Sequence, residues 1–296
     1  MTRPLVSVML PCFNAAETLA FALASLLAQS IDDWECVCLD DGSTDSTFQI
    51  LQHAASRDAR FRVERFETNR GRGAARQRVL ELVTGKYLAF LDADDWMYPE
   101  RLQHEIEWLE IDHRIAAVTV CCAVTDGVDR LVGLMKPLAS HRLPEVAIFD
   151  RMQLPPLLFP ASMIRTDIAQ ATGFDPAFKR SQDSDFVVRA LFDRHYALSS
   201  KVLYAYSKSG ASLERSLDGY RYRMRTHARG FRDHPLDVSR TLAATAGKML
   251  VYRVAGAMGI EQKLIDRRHE PADDETRRGF PMALEAVRTK HRQWYG

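Results

Sequence analysis

The sequence predicts an α/β protein with a doubly wound, mostly parallel sheet flanked by helices. Four apolar, strand-like runs occur early in the chain, and each is followed by a turn and a helical pattern. Clusters of aspartate stand directly after the second and fourth runs. The chain has 296 residues, of which 46% are hydrophobic, and this is enough for one large domain or one domain with an appendage.

Strands and helices alternate through the first 112 residues. Each predicted strand is a run of apolar and β-branched residues, and each predicted helix repeats apolar residues at intervals of three or four. The strands are expected at Leu5–Leu10, Trp34–Leu39, Phe61–Phe66 and Lys86–Leu91. The helices are expected after Asn14 and Glu17, which have capping-box spacing, after Asp45 as N-cap, between Asn69 and Gly85, and from Pro99.

The pattern is looser from Ile115 onward. A strand is expected at Ile115–Val124, a short helix ending at Gly173, a helix at Asp183–Arg194 and a strand at Tyr196–Ser207. The buried stripe of the longer helix is predicted to be Phe186, Val187, Ala190 and Leu191. The last thirty or so residues are polar, and we expect them to be loosely ordered.

Charge is distributed unevenly along the chain. Residues 1–200 contain 21 Lys and Arg against 28 Asp and Glu, a net charge of −7, whereas residues 201–296 contain 19 against 11, a net charge of +8. A basic tail on an acidic body indicates an anionic partner for the tail, although a solvated basic surface is the alternative. Within the tail, Thr241, Thr245, Lys248 and Tyr252 form one polar stripe on an otherwise apolar helix. That helix either packs on the main domain or rests on a membrane.

The remaining composition points to the cytoplasm. The five cysteines contain no CxxC pair, and we expect reduced thiols with no metal site. The first residues are expected to form a strand and not a signal peptide, and no charge-free run of about 20 apolar residues exists. No nucleic-acid partner is expected.

The two acidic clusters are the candidate sites for binding a metal ion and a nucleotide base. Oxygen-rich carboxylate clusters such as Asp92, Asp94 and Asp95 suit Mg²⁺ or Mn²⁺, which usually complete their shell with water and phosphate oxygens. A helix cap before Pro99 is the structural alternative. Asp41 stands at the end of the second strand, where its carboxylate could accept a hydrogen bond from the imide N–H of a uracil-like base. The same segment could simply form a tight turn.

Four motifs in order resemble glycosyltransferase family 2. They are Pro-x-Phe-Asn at Pro11–Asn14, DDGSTD at Asp40–Asp45, N-x-G-x-x-x-A-R at Asn69–Arg76, and DADD at Asp92–Asp95. The resemblance covers about residues 4–213 and implies the GT-A fold. It divides the chain into a nucleotide-sugar half at about 1–112, an acceptor half at 113–213, and an uncovered, basic helical extension at 214–296.

The resemblance also assigns roles to matching positions. Pro11, Phe13 and Asp41 would border the base and ribose, with Asn14 and Asp40 in the same substrate site. Arg76 would contact the diphosphate. Asp92 and Asp94 form the DxD motif, and Asp94 or Asp95 would contact a divalent cation, Mg²⁺ or Mn²⁺.

A fourth site lies in the segment KRSQDSDFVVR. In the family an acidic residue before a similar helix acts as general base, and Asp183 matches it, with Asp185 as the fallback. Gln182 replaces the common Glu beside it and is expected in the substrate site. Ser209 stands where the family often has a His, and Lys208 could supply a positive charge there instead.

The resemblance therefore implies an inverting, metal-dependent transfer of sugar from a nucleotide-diphosphate sugar, such as a UDP-sugar. The family and the basic tail together indicate a polysaccharide or lipid-linked glycan as the acceptor. The basic, amphipathic extension, which the resemblance does not cover, indicates an anionic membrane surface as a further partner and a peripheral position on the inner face of the cell membrane. One alternative is a catalytically inactive protein that binds sugar nucleotides or glycans. The other is a nucleotidyltransferase, which needs a Gly-rich, basic loop after the first strand that PCFNAAETLAF does not provide.

Overall fold

The first half of the chain alternates strands and helices as the periodicity predicts. A computed structural model describes residues 3–137, 144–150, 155–208, 213–230, 232–259 and 269–296. The first elements are β1 (Val6–Cys12), α1 (Leu19–Leu27), β2 (Trp34–Asp40), α2 (Thr47–Arg57), β3 (Phe61–Arg65), α3 (Arg72–Leu82) and β4 (Tyr87–Phe90).

The second half adds strands of both directions and the helices that carry the tail. These elements are β5 (Trp96–Met97), α4 (Arg101–Ile111), β6 (Ile115–Asp126), β7 (Arg130–Met135), β8 (Glu145–Phe149), β9 (Ser162–Arg165), α5 (Thr166–Thr172), α6 (Gln182–Leu191) and β10 (Arg194–Ser207). The extension forms α7 (Leu213–Arg229), α8 (Pro235–Ala257) and α9 (Asp274–Tyr295).

All these strands belong to one sheet. Its main path runs β3-β2-β1-β4-β9-β6-β10-β5, with β7 beside β6 and β8 beside β10. The first four strands pair in parallel, so their carboxyl ends meet at one edge. β10 is parallel to β6, whereas β9 runs antiparallel to both of its neighbours. Because β9 is antiparallel to both β4 and β6, the strands β6 and β10 run in the same direction as β4. The carboxyl end of β10 therefore lies at the same edge of the sheet as the end of β4.

Two hydrophobic clusters cover the two faces of the sheet. Side chains alternate along β1, so Val8 and Leu10 join the cluster under α1, whereas Met9 joins the cluster under α3 and α6. The predicted stripe of α6 is buried throughout. All five cysteines are buried free thiols. The core therefore has the two-sided packing of a doubly wound sheet.

The C-terminal segment is more ordered than its polar sequence suggested. α9 packs against α1, and Phe280, Leu284 and Val287 lie in the same core cluster as the α1 residues. The Phe280 ring lies 5.5 Å from Trp96. The expectation of loose order is therefore wrong for residues 274–295.

Arg101 forms a buried ion pair within α4 and joins this helix to the sheet. The Arg101 guanidinium donates to the Phe90 and Ser162 carbonyls and to the Glu105 carboxylate, at 2.9, 3.1 and 3.1 Å. Both side chains of the pair are fully buried. Burial raises the pKa of Glu105 to about 7, even though Arg101 opposes the shift.

Replacing Arg101 by Met is expected to lower the free energy of unfolding by about 3–5 kcal/mol, because it leaves buried acceptors unpaired. This loss of stability should be larger at about pH 8 than at about pH 5. At about pH 8 the Glu105 carboxyl of the wild type has released its proton and is paired with Arg101, whereas in the variant Glu105 has no cationic partner and must stay protonated, which costs free energy at high pH. Urea denaturation at both pH values measures this. Arg114→Met, which removes only an exposed pair with Asp112, is the control and should stay close to wild type.

Candidate active site

Three carboxylates converge just beyond the carboxyl end of β4. Asp92, Asp94 and Asp95 each offer an oxygen, and these oxygens lie within 4.8 Å of one another. Asp92 and Asp94 are half-buried, whereas Asp95 is buried. Burial, together with the neighbouring Asp94 and Asp92 charges, raises the pKa of Asp95 well above its usual value. A cation beside the cluster would relieve this repulsion.

The carboxyl end of β10 fixes this cluster. The Tyr204 hydroxyl donates to Asp95 Oδ2 at 2.8 Å, and the Ser207 amide donates to Asp95 Oδ1 at 2.7 Å. The same Tyr204 hydroxyl accepts a hydrogen bond from the Asp92 amide at 3.3 Å. Both oxygens of Asp95 therefore hold the loop in place, whereas Asp94 belongs to the accessible part of the cluster.

Arg76 lies against the same cluster. Its side chain is buried, and Nη2 lies 3.1 Å from Asp92 Oδ1. The guanidinium also stacks 4.6 Å from the centre of the Phe159 ring. α3 thus carries a fixed positive charge to the first aspartate of the DxD motif, and this charge offsets part of the repulsion among the carboxylates.

The end of β2 is tied to the loop that precedes α3. Asp41 Oδ1 accepts from the Arg70 amide at 2.7 Å, and Oδ2 accepts from the Gly71 amide at 2.9 Å. Burial raises the pKa of Asp41, although the two hydrogen bonds act to lower it. Gly42 has φ 71°, and a Cβ there would lie 2.6 Å from the Thr68 carbonyl carbon, so this turn requires glycine.

Asp40 has a different environment from Asp41. It is fully buried, Oδ1 accepts from the Ser43 amide at 3.1 Å, and Oδ2 lies 3.0 Å from Arg65 Nε. Its contacts thus stabilise the DDGSTD turn. The turn predicted from the sequence is present, with Asp45 Oδ1 accepting from the Thr47 amide at the start of α2.

Asn14 joins the ends of β1 and β2. It has a left-handed φ of 48°, and its side-chain oxygen accepts from the Thr44 amide at 3.0 Å. The expected capping box with Glu17 is therefore wrong, because α1 begins only at Leu19. Phe13 is 48% exposed beside the half-buried Pro11, so an aromatic face is open to a ligand at this strand end.

The candidate base lies at the first turn of α6. Asp183 is half-buried, and its Oδ1 accepts from the following Ser184 amide at 2.8 Å. Ser181, just before the helix, has φ 52°, which is strained for a residue with a side chain. The Gln182 side chain is buried, and within the described part of the chain its Oε1 has no hydrogen-bond partner.

Asp185 is a structural residue. It is fully buried and lies 2.7 Å from Arg189 Nη2 and 3.0 Å from Arg229 Nη1, with a further hydrogen bond from Thr226. A carboxylate held by two guanidinium groups cannot readily accept a proton from a substrate. The fallback assignment of Asp185 as base is therefore wrong. The contact also ties α7 to α6.

An aromatic cluster connects α6 to Arg76. The Phe186 ring stacks on Phe174 at 4.2 Å and lies 6.2 Å from Phe159, whose ring contacts Arg76. The described contacts of Asp183 are within its own helix, so its meeting with the acidic cluster across one cleft remains a prediction. Ser209 lies outside the described residues. Lys208 follows β10, where its amide donates to the Thr125 carbonyl at 2.8 Å.

The sequence model of glycosyl transferase family 2 matches residues 7–169, more than half of the chain. The chain belongs to glycosyltransferase family 2. Among curated proteins, it is 40% identical over 107 residues to a Bacillus subtilis protein, TuaG, named as a teichuronic acid biosynthesis glycosyltransferase. It is 33% identical over 106 residues to Escherichia coli WfgD, named as a UDP-Glc:α-D-GlcNAc-diphosphoundecaprenol β-1,3-glucosyltransferase. Each match covers 36% of this chain and only 42% or 41% of the relative.

Solved structures agree on the fold. Staphylococcus aureus TarS 1–349 with UDP-GlcNAc superposes with a TM-score of 0.64 at 19% identity, covering 98% of this chain and 89% of that one. The mannosyltransferase PcManGT from Pyrobaculum calidifontis, with GDP-Man and Mn²⁺, gives 0.58 at 18% identity, covering 98% and 88%. The predicted GT-A architecture is therefore confirmed.

Proposed function

We propose that this family 2 enzyme transfers a sugar, with inversion and with the help of a divalent cation, from a UDP-sugar to a hydroxyl of a polysaccharide or lipid-linked glycan. The observation that carries the proposal is the Asp92, Asp94 and Asp95 cluster at the carboxyl end of β4, with Arg76 beside it. In open α/β sheets, ligands bind beyond the carboxyl ends of the strands.

The carboxylate set fits Mg²⁺ or Mn²⁺. Three carboxylates within 4.8 Å supply hard oxygen ligands. Burial and the neighbouring carboxylates raise the pKa of Asp95, so a cation bound here would stabilise its charged form. We assign the direct contact to Asp94, which is half-buried, with Asp95 behind it, because Asp95 is buried and both of its oxygens accept protein hydrogen bonds. A cation bound here would neutralise the negative charge that builds on the departing diphosphate.

The donor nucleotide would lie along the ends of β1 and β2. Phe13 and Pro11 would flank the base, and Asp41 retains acceptor capacity beyond its two backbone hydrogen bonds. Asn14 would shape this subsite by linking the end of β1 to the turn after β2, and Asp40 by accepting from the Ser43 amide within that turn. The choice of UDP rests on this acceptor and on the UDP-sugar in the name of WfgD and in the TarS complex. Arg76, next to Asp92, would contact the diphosphate.

Asp183 would act as general base. It would take the proton from the acceptor hydroxyl as that oxygen attacks the anomeric carbon, while the bond to the diphosphate breaks on the opposite face. One displacement of this kind inverts the configuration. Gln182, next to the base in the sequence, would belong to the substrate site; its buried Oε1 has no hydrogen-bond partner among the described residues.

The alternatives have weaker support. A nucleotidyltransferase would need glycine and basic residues between β1 and α1, where this chain has neither. An inactive binding protein would tolerate loss of the acidic cluster, yet the cluster and Asp183 are both present.

The decisive experiment measures nucleotide release from a panel of UDP- and GDP-sugars, with Mn²⁺, with Mg²⁺ and with chelator. We expect release from a UDP-sugar with metal and a loss of at least about 100-fold with chelator. Release that ignores the chelator refutes the metal assignment. No release from any donor, together with tight donor binding by calorimetry, favours the inactive binding protein.

The organisation of the chain and its position in the cell are also proposals. Residues 1–213 would form the catalytic domain, with its halves meeting near residue 112, and residues 214–296 would form the extension. An enzyme with a lipid-linked acceptor would work at the inner face of the cell membrane. Within the described residues, no helix is both long and apolar enough to cross a bilayer.

A further inference from the structure

The helix α8 turns its apolar side away from the protein. Leu236, Leu250, Val251, Val254 and Met258 are 74, 63, 55, 50 and 65% exposed. We call these five residues the outer face of α8; the last of them caps the helix. Helical spacing places them on one side, together with exposed alanines and a glycine. An ordinary surface helix shows the opposite arrangement.

The inner side of α8 accounts for this reversal. Thr245 and Tyr252, members of the polar stripe seen in the sequence, are buried. The Tyr252 ring lies 5.7 Å from Tyr220 of α7, and the Thr245 hydroxyl donates to the Thr241 carbonyl at 2.8 Å. Because Thr245 and Tyr252 are on the buried side of the helix, with Tyr252 against α7, the apolar residues on the opposite side face outward. A contiguous exposed apolar surface of this kind indicates a binding surface.

Positive charges border the outer face. At 100° per residue, Arg240 lies within the outer face, and Lys248 and Arg253 lie on its two borders. All three are exposed, and among the described residues none of them forms an ion pair. Asp237 is the only acidic residue of α8, and it is half-buried in the first turn. The surface thus combines an apolar strip with unpaired cations.

We propose that the outer face of α8 docks the enzyme on an anionic lipid bilayer. The apolar side chains would enter the boundary between head groups and acyl chains, and the three cations would contact lipid phosphates. A second copy of this chain fits less well, since paired outer faces would bring their cations together without acidic partners. The proposal extends the proposed function, because a lipid-linked acceptor lies in the same membrane, but it does not depend on catalysis.

Vesicle sedimentation of the full chain tests the proposal. With vesicles of phosphatidylcholine and phosphatidylglycerol, wild type should pellet, whereas with phosphatidylcholine alone its partition coefficient should fall about 100-fold, since each of three cations contributes roughly fivefold. A wild type that stays in the supernatant with anionic vesicles overturns the proposal. Vesicle binding is measured without a sugar donor and without turnover. A negative result would therefore contradict the membrane proposal and leave the proposed catalytic function untouched.

Paired variants locate the contact. Leu250→Gln with Met258→Gln should lower partitioning at least about tenfold. Ile111→Gln with Met282→Gln, which changes side chains that are 73% and 77% exposed elsewhere, should not. Lys248→Gln with Arg253→Gln should lower partitioning about 25-fold, and Arg277→Gln with Arg278→Gln, exposed on α9, should have little effect.

Two results would contradict the assignment to α8. Equal losses from the outer-face and control variants would mean that binding follows total charge and hydrophobicity. Wild type that sediments as a dimer, with outer-face variants that are monomeric and still bind vesicles, would assign the surface to a second copy. In either case nucleotide release should stay at the wild-type rate, since α8 supplies none of the residues assigned to the active site.

Discussion

Replacing Asp183 by Asn is expected to slow sugar transfer to an acceptor by about 10²- to 10⁴-fold, the usual contribution of a positioned general base. The amide has nearly the same shape and can still accept the hydrogen bond from the Ser184 amide, so α6 should keep its first turn. It cannot take a proton from the acceptor hydroxyl. Donor affinity should change little, since the nucleotide is assigned to the other half of the site. Transfer rate and UDP affinity, measured separately, check both statements.

Asp167→Asn is the matched control for this experiment. Asp167 lies in the first turn of α5, and its Oδ1 accepts from the following Ile168 amide at 2.8 Å, as Asp183 does with Ser184. The Asp167→Asn variant therefore reproduces any effect of a changed hydrogen bond at a helix start, and it leaves the proposed cleft unchanged. Unchanged turnover in Asp183→Asn would refute the base assignment. Equal losses in both variants would reduce Asp183 to a capping residue.

Periodicity predicted the early fold well because each strand and helix there depends on local sequence. The four parallel strands follow runs of β-formers, and the helix of Phe186 and Leu191 follows from spacing alone. α9 was missed although Phe280, Ala283, Leu284 and Val287 recur at helical intervals. Its high charge content suggested disorder. The spacing was the better guide, since these four residues fill a gap beside α1.

The site was predicted less completely because its supports come from distant segments. The aspartates after β2 and β4 could be recognised from the sequence, because they are acidic residues that directly follow predicted strands. Tyr204 and Ser207 look like ordinary strand residues, and only the parallel pairing of β10 with β6 brings them to Asp95. In the same way, Asp185 looked like a second candidate base until the structure placed Arg229 of α7 against it. Local sequence cannot distinguish a catalytic carboxylate from one buried by a later helix.

Replacing Asp94 by Asn is expected to weaken the binding of Mn²⁺ in the presence of UDP and to lower nucleotide release by about 10³-fold. A neutral amide is a weaker ligand for a hard cation than a carboxylate, and the charge on the departing diphosphate would then be poorly neutralised. Asp94 is the best position for this test because it is half-buried, whereas loss of Asp95 would also free the Tyr204 hydroxyl and the Ser207 amide and disturb the fold. Calorimetric titration of Mn²⁺ into the UDP complex measures binding without turnover.

Asp112→Asn gives the comparison for charge alone. Asp112 follows α4 and precedes β6, so it lies at the amino end of a strand, away from the edge where β4 ends, and its partner is Arg114. This variant should bind Mn²⁺ and release nucleotide as wild type does. If Asp94→Asn does the same, the cluster does not hold the cation. If Asp94→Asn binds Mn²⁺ normally yet releases no nucleotide, Asp94 acts on the sugar and the metal ligand must be sought in Asp92 or Asp95. Since Asp94 is half-buried, whereas Asp95 is buried and both of its oxygens accept hydrogen bonds from β10, we expect a loss of metal binding.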